Sequence, residues 1–67
     1  MDVKWVDGSQ IRVSFDGQAA VISANREGLL SLAGQLEALA ETPRGHIHYD
    51  AYNSLEDGST ELIVEKV

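Results

Sequence analysis

The chain has 67 residues, no cysteine, and 11 acidic against 5 basic side chains, giving a formal charge of −6. One hydrophobic core is all that length supports, so a single domain over residues 1–67 is expected, with a net stability of ~3–5 kcal/mol and no disulfide or thiolate metal site to reinforce it. The charge repels phosphate backbones and sets direct nucleic-acid binding aside in favour of a cationic partner. No stretch is apolar enough to cross a bilayer, and Met1-Asp2-Val3-Lys4-Trp5 lacks the order of a signal peptide, so a cytoplasmic protein without membrane contact is expected.

In chain order, Asp7-Gly8 is the first turn signal. A three-residue loop Asp7-Gly8-Ser9 sets Trp5 opposite Ile11 and Val3 opposite Val13, with Lys4 and Arg12 together on the other side; an even loop would put Lys4 on the apolar face. Asp16-Gly17 lies between two alternating runs, Ile11-Arg12-Val13-Ser14-Phe15 and Gln18-Ala19-Ala20-Val21-Ile22, which predicts a hairpin. A two-residue loop there pairs Phe15 with Gln18, Val13 with Ala20 and Ile11 with Ile22. A helix follows, with Leu29, Leu32, Ala33, Leu36, Leu39 and Ala40 as its apolar stripe and Ser31, Gln35, Glu37, Ala38 and Glu41 largely off it. Ser23 or Asn25 caps its start, Glu27 suits the positive end of its dipole, and Thr42-Pro43 stops it. Gly34 inside it is read as tolerated at a cost of roughly 1 kcal/mol.

His46-Ile47-His48-Tyr49-Asp50 alternates and predicts a strand. A polar connection with a turn at Asp57-Gly58 leads to a final strand over Thr60 to Val67. The expected fold is therefore α+β: an antiparallel sheet of about five strands in the order β-β-β-α-β-β, with one helix packed on one face. Val3, Trp5, Ile11, Val13, Phe15, Ala20, Ile22, Ile47, Tyr49, Leu62 and Val64 are expected beneath the helix. One helix covers one side of a sheet, so Lys4, Val6, Arg12, Ser14, Val21, His46, His48, Asp50, Glu61, Ile63, Glu65 and Tyr52 are assigned to a wet side. Aliphatic groups interleaved with charges on such a face suit contact with another protein, and equally suit an ordinary solvated surface.

His46, His48 and Asp50 share a side of their strand. His46 and His48, roughly 6.6 Å apart along it, could grip one ion, whereas Asp50 at about 13 Å from His46 is too far to join them. No cysteine or third histidine completes such a set. Acid–base catalysis would pair a histidine with Asp50 or Glu61, but a chain this small has little material for a water-excluding pocket, and it holds no glycine-rich phosphate loop or nucleophile elbow. Trp5 suits a core edge, and Glu56-Asp57 suits solvated turn chemistry; either could also serve at an interface.

Gly45-His46-Ile47-His48-Tyr49-Asp50, the Leu55 that follows, and the closing Glu61-Leu62-Ile63-Val64-Glu65 resemble a family of small bacterial immunity proteins, the antidotes encoded beside polymorphic or contact-dependent toxins. The nearest match is the immunity protein 32 family. The resemblance covers roughly residues 11 to 67, and its most specific part is the Gly-x-His-x-Asp core with the apolar strand after it. It implies an α+β antidote that binds a cognate toxin in the cytoplasm, and it carries over His46, His48 and Asp50 as motif positions without a role.

The leading expectation is a non-enzymatic immunity protein that neutralises a basic, nuclease-like toxin by steric and electrostatic occlusion, with no cofactor and no catalytic or metal-ligating residue assigned. The residues expected to meet the toxin are His46, His48, Asp50, Glu61, Glu65, Arg12 and Tyr52. Two alternatives stand beside it. One is a self-associating module in which open faces or edge strands pair into a homodimer, Val67 ending a strand that offers an edge. The other is a metal-binding protein using His46 and His48.

Overall fold

The computed structural model describes residues 4–67. The elements run β1 (Ile11–Asp16), β2 (Ala19–Ala24), α1 (Arg26–Ala40), β3 (Gly45–Tyr49) and β4 (Leu62–Lys66). The α+β class and the single helix stand as expected, but among the described residues four strands form two separate two-stranded antiparallel sheets, β1-β2 and β3-β4, in place of one sheet of about five.

Among the described residues, the expected N-terminal strand does not form. Residues 4–6 take no strand structure, and Val3 lies outside the described residues. A turn does form at Asp7-Gly8: Ser9 N–H donates to Val6 C=O at 3.1 Å and Gly8 has φ +85°. A positive φ at the third position of a turn favours glycine because a Cβ there would clash. The chain enters this turn from α1, however, and not alongside β1. Gln35 Nε2 donates to Lys4 C=O at 2.7 Å, and Ser31 Oγ accepts from Val6 N–H at 2.8 Å. Trp5 is therefore not opposite Ile11, and Lys4 and Val6 sit at the helix flank, away from Arg12.

The edge of β1 that was expected to receive the N-terminal strand is used by the last loop. Glu56 N–H donates to Ile11 C=O at 2.8 Å, Thr60 N–H to Val13 C=O at 2.7 Å, and Val13 N–H to Ser59 Oγ at 3.2 Å. A tight turn, in which Ser59 N–H donates to Glu56 C=O at 3.1 Å and Gly58 has φ +84°, interrupts these contacts. The interruption keeps the two sheets from merging into one ladder, and the last strand starts at Leu62 instead of Thr60.

The hairpin pairs Phe15 with Ala20, Val13 with Ile22 and Ile11 with Ala24. Its loop is Gly17-Gln18, and Gly17 has φ +65°, as the first central residue of a type II′ turn requires. The register is thus two residues from that expected. A shift of two preserves the faces, so Ile11 and Val13 still point to the helix and Arg12 still points away.

The core contains Ile11, Val13, Leu32, Leu39, Ile47, Tyr49 and Leu55, with Ala24, Leu62 and Val64 packed partly against it. Asn25 is the N-cap: its Oδ1 accepts from Gly28 N–H at 2.8 Å and Gln10 N–H at 3.0 Å. The helix ends at Ala40, two residues before Thr42, whose hydroxyl donates to Leu39 C=O at 2.6 Å.

Its buried face shares only Leu32 and Leu39 with the predicted stripe. Gly28, Ser31, Leu32, Gln35 and Leu39 are buried, while Leu29, Ala33, Leu36 and Ala40 are exposed. Each buried position is one residue before a member of the predicted stripe, a rotation of about 100°. Polar and steric demands outweigh the stripe. Ser31 Oγ donates to Glu27 C=O at 2.9 Å and lies 2.7 Å from Ser9 Oγ, and Gln35 Oε1 accepts from the Tyr49 hydroxyl at 2.6 Å. A Cβ on Gly28 would sit 2.7 Å from Gln10 O, so this glycine allows the helix to lie directly on the start of β1. The turn end of the hairpin is left bare: Phe15 (68% exposed), Ala20 and Ile22 (46% exposed) are open to solvent although they share the side of Ile11 and Val13, while Ala24 packs partly against the core. Trp5, also expected inside, is partly exposed and touches Tyr49 edge-to-face with centroids 6.1 Å apart.

Candidate functional site

The β3-β4 register pairs His46 with Glu65, Ile47 with Val64, His48 with Ile63 and Tyr49 with Leu62. Ile47 and Tyr49 are buried and Leu62 and Val64 half-buried, so alternation turns His46, His48, Ile63 and Glu65 outward, and all four are exposed. Of the seven residues singled out in the sequence, His46, His48, Glu61, Glu65, Arg12 and Tyr52 are exposed and Asp50 is half-exposed.

His48 and Glu61 are brought together, with His48 Nε2 2.8 Å from Glu61 Oε2. Glu61 is two residues from the position opposite His48, a diagonal that long side chains reach. Of the two carboxylates considered as partners for a histidine, Glu61 is the one in contact. Asp50 does different work. It lies just beyond β3, and its Oδ1 accepts from Tyr52 N–H at 2.9 Å and Asn53 N–H at 3.0 Å, while its carbonyl accepts from Leu55 N–H at 2.8 Å. This turn carries Leu55 back into the core and leaves Tyr52 almost fully in solvent. The place of Asp50 in the Gly-x-His-x-Asp run is thereby explained by local folding.

Arg12 projects from β1 and donates from Nη1 to Asp57 C=O at 2.8 Å, which ties the hairpin to the loop that precedes β4. Leu55, a motif residue that the sequence does not assign to the core, is buried in it; its isolation as a large aliphatic in a polar connection is the signal available.

The metal geometry differs from the expected one. His48, Asp50 and Glu61 each offer a ligand atom, all within 4.8 Å of one another, and His46 is not in this group. The pairing expected for an ion, His46 with His48, is replaced by a cross-strand set. All three members already have partners in the protein: Glu61 and His48 hold each other, and Asp50 holds its own turn.

A groove of about 600 Å³ runs between residues 4–6 and α1, lined by Trp5, Val6, Leu30, Gly34 and Ala38 among others. Neither histidine borders it. Its ionisable lining residues are Lys4 and Glu41, so it does not join the imidazoles to an enclosed cavity.

The sequence model for immunity protein 32 matches residues 20–67, which include the helix, both strands of the second sheet, the Asp50 turn and Leu55. The chain belongs to the immunity protein 32 family. The match starts inside the hairpin, so family membership rests on β2, α1, β3 and β4. No curated protein and no solved structure matches the chain. Immunity proteins are as a class non-enzymatic. Among the described residues no helix is long and apolar enough to cross a membrane.

Proposed function

We propose that the chain neutralises a cognate toxin in the cytoplasm by binding it directly, with the outward surface formed by His46, His48, Asp50, Glu61, Glu65, Arg12 and Tyr52 as the docking face. The observation that carries this reading is the family match combined with the exposure of that face. Its charges are three carboxylates against one guanidinium, and Ile63 gives it an exposed aliphatic centre. An acidic rim around an apolar spot fits a basic surface, because complementary charge accelerates encounter and desolvated apolar contacts then hold the complex. A toxin with a basic, nuclease-like cleft is the class of partner that this charge favours. Occlusion of the cleft, without chemistry or cofactor, is the mode of inhibition that needs least from so small a domain.

Co-expression with a candidate toxin, scored by growth rescue and by pull-down, tests the reading. Rescue and a stable complex are expected for the wild type. The double variant Glu61→Lys with Glu65→Lys is expected to bind at least roughly tenfold more weakly, since reversed rim charge juxtaposes like charges. Rescue without a complex, or a complex indifferent to these changes, would discard the docking face.

A second reading, a divalent metal site, is favoured by the mutual approach of His48, Asp50 and Glu61. Zinc titration followed by histidine ring shifts separates it from toxin docking. Saturable binding that disappears in His48→Ala and persists in His46→Ala supports the site; equal weak binding in both variants removes it.

A further inference from the structure

We infer that the free edge of β2 is a pairing site for a second copy of this chain, forming an antiparallel β2–β2 junction across a two-fold axis. The hydrogen-bond parity of the hairpin specifies the site. Asn25 N–H donates to Gln10 C=O at 3.1 Å, and Gln10 and Asn25 continue the register in which Arg12 meets Ser23 and Ser14 meets Val21. In an antiparallel ladder, hydrogen-bonded and non-bonded pairs alternate. Val21 and Ser23 therefore bond inward to β1, and Ala20 and Ile22 direct their N–H and C=O groups outward. On β1 the same parity turns Ile11 and Val13 to the opposite edge, where Glu56, Ser59 and Thr60 satisfy them. That edge is used. Among the described residues, nothing satisfies the outward groups of Ala20 and Ile22, and β2 pairs with β1 alone.

Such an edge normally carries a charge, a proline or a bulge that prevents association. Here the run Gln18-Ala19-Ala20-Val21-Ile22-Ser23-Ala24-Asn25 contains no charged residue and no proline, and its register is unbroken from Ala19 to Ala24. On a chain of charge −6 this neutral run favours a like partner, because two copies can meet here without opposing carboxylates, whereas a basic partner gains nothing from it.

Apolar surface adjoins the edge. Phe15 and Ile22 stand on the helix side of the hairpin without cover. By helical angle, Leu29 and Leu36 lie on the flank of α1 opposite Ser31 and Ala38, which line the groove beside Trp5, and both leucines are exposed. An antiparallel junction with an even register sum keeps residues on their own faces, and its two-fold axis stands perpendicular to the sheet. With Ile22 opposite the same residue of the second copy, both helices fall on one side of a four-stranded β1-β2-β2-β1 sheet. A stable interface takes roughly 800 Å² from each partner, about one-sixth of the 4822 Å² surface of this chain.

Sedimentation velocity over a concentration series, with amide exchange followed residue by residue on the same samples, tests the junction on the unmodified chain. The expected result is a concentration-dependent dimer in which the Ala20 and Ile22 amides, unbonded in the monomer, slow by at least roughly tenfold as dimer accumulates. Ala20→Pro removes an outward N–H without touching the β1 ladder, and Ile22→Lys places charge at the axis; both are expected to sediment as folded monomers, while Ile63→Lys on the other face dimerises as the wild type does. A wild type that stays monomeric overturns the inference. So does a dimer in which the Ala20 and Ile22 amides exchange as fast as in the monomer. Neither outcome touches toxin neutralisation, which rests on the opposite face.

Discussion

Tyr49 shows how one side chain joins three parts of the molecule. Its ring is fully buried between β3 and α1, its hydroxyl donates to Gln35, and Gln35 in turn holds Lys4. Burial raises the phenol above its ordinary value of 10.0. Tyr49→Phe leaves Gln35 Oε1 buried without a donor, and is expected to cost about 1–3 kcal/mol in urea unfolding at neutral pH. The raised folded value also sets a sign at high pH. Below the unfolded value both states hold the proton and stability does not change; between the unfolded and folded values only the unfolded chain releases it, so stability falls with a slope of up to ~1.4 kcal/mol per pH unit. Wild-type stability is expected to decline above pH ~10, and the part of that decline due to Tyr49 is absent in Tyr49→Phe. A matching decline in both proteins would contradict the burial of the phenol.

At the scale of the element, two glycines of α1 separate propensity from packing. A Cβ on Gly34 meets nothing within 4 Å, so Gly34→Ala is expected to stabilise the protein by roughly 1 kcal/mol. A Cβ on Gly28 would fall 2.7 Å from Gln10 O and 2.9 Å from Ile11 Cγ1. Gly28→Ala should therefore lose about 1–3 kcal/mol despite the better helix former, because a backbone oxygen cannot step aside. Thermal melts of the two variants decide this, and equal shifts in one direction would show that α1 does not rest on β1 as described. The same contact explains the rotation of the helix. Leucines alone favoured burial of Leu29 and Leu36; the close approach at Gly28 and the partners of Ser31 and Gln35 selected the neighbouring face.

The whole molecule presents two dissimilar surfaces, an acidic one carrying the histidines and a neutral one at β2. If the acidic one meets a basic toxin, association should slow as salt rises, since the Debye length shortens from about 30 Å at 0.01 M to about 8 Å at 0.15 M. Stopped-flow measurement of the association rate checks this: a strong fall in the on-rate with little change in the off-rate is expected, and a salt-independent rate would contradict electrostatic steering. Self-association through β2 should show the opposite behaviour, being insensitive to salt or strengthened by it as repulsion between like-charged copies is screened.

Alternation and turn chemistry made much of this legible in advance. The Asp-Gly turns, the helix limits near Asn25 and Thr42, the inward Ile47 and Tyr49, and the outward His46 and His48 all follow from local rules that act within a few residues. Hairpin parity likewise survived a register error of two, because a period of two is unchanged by it. Tertiary structure decided what covers what. Whether residues 4–6 or residues 56–60 would lie beside β1, which flank of α1 would face inward, and whether β2 would be covered at all depended on distant polar partners such as Ser31, Gln35 and Ser59. Those partners bond across 25, 31 and 46 residues of chain. A buried hydroxyl or amide must find such a partner wherever the fold supplies it, and no spacing along the chain records where that is.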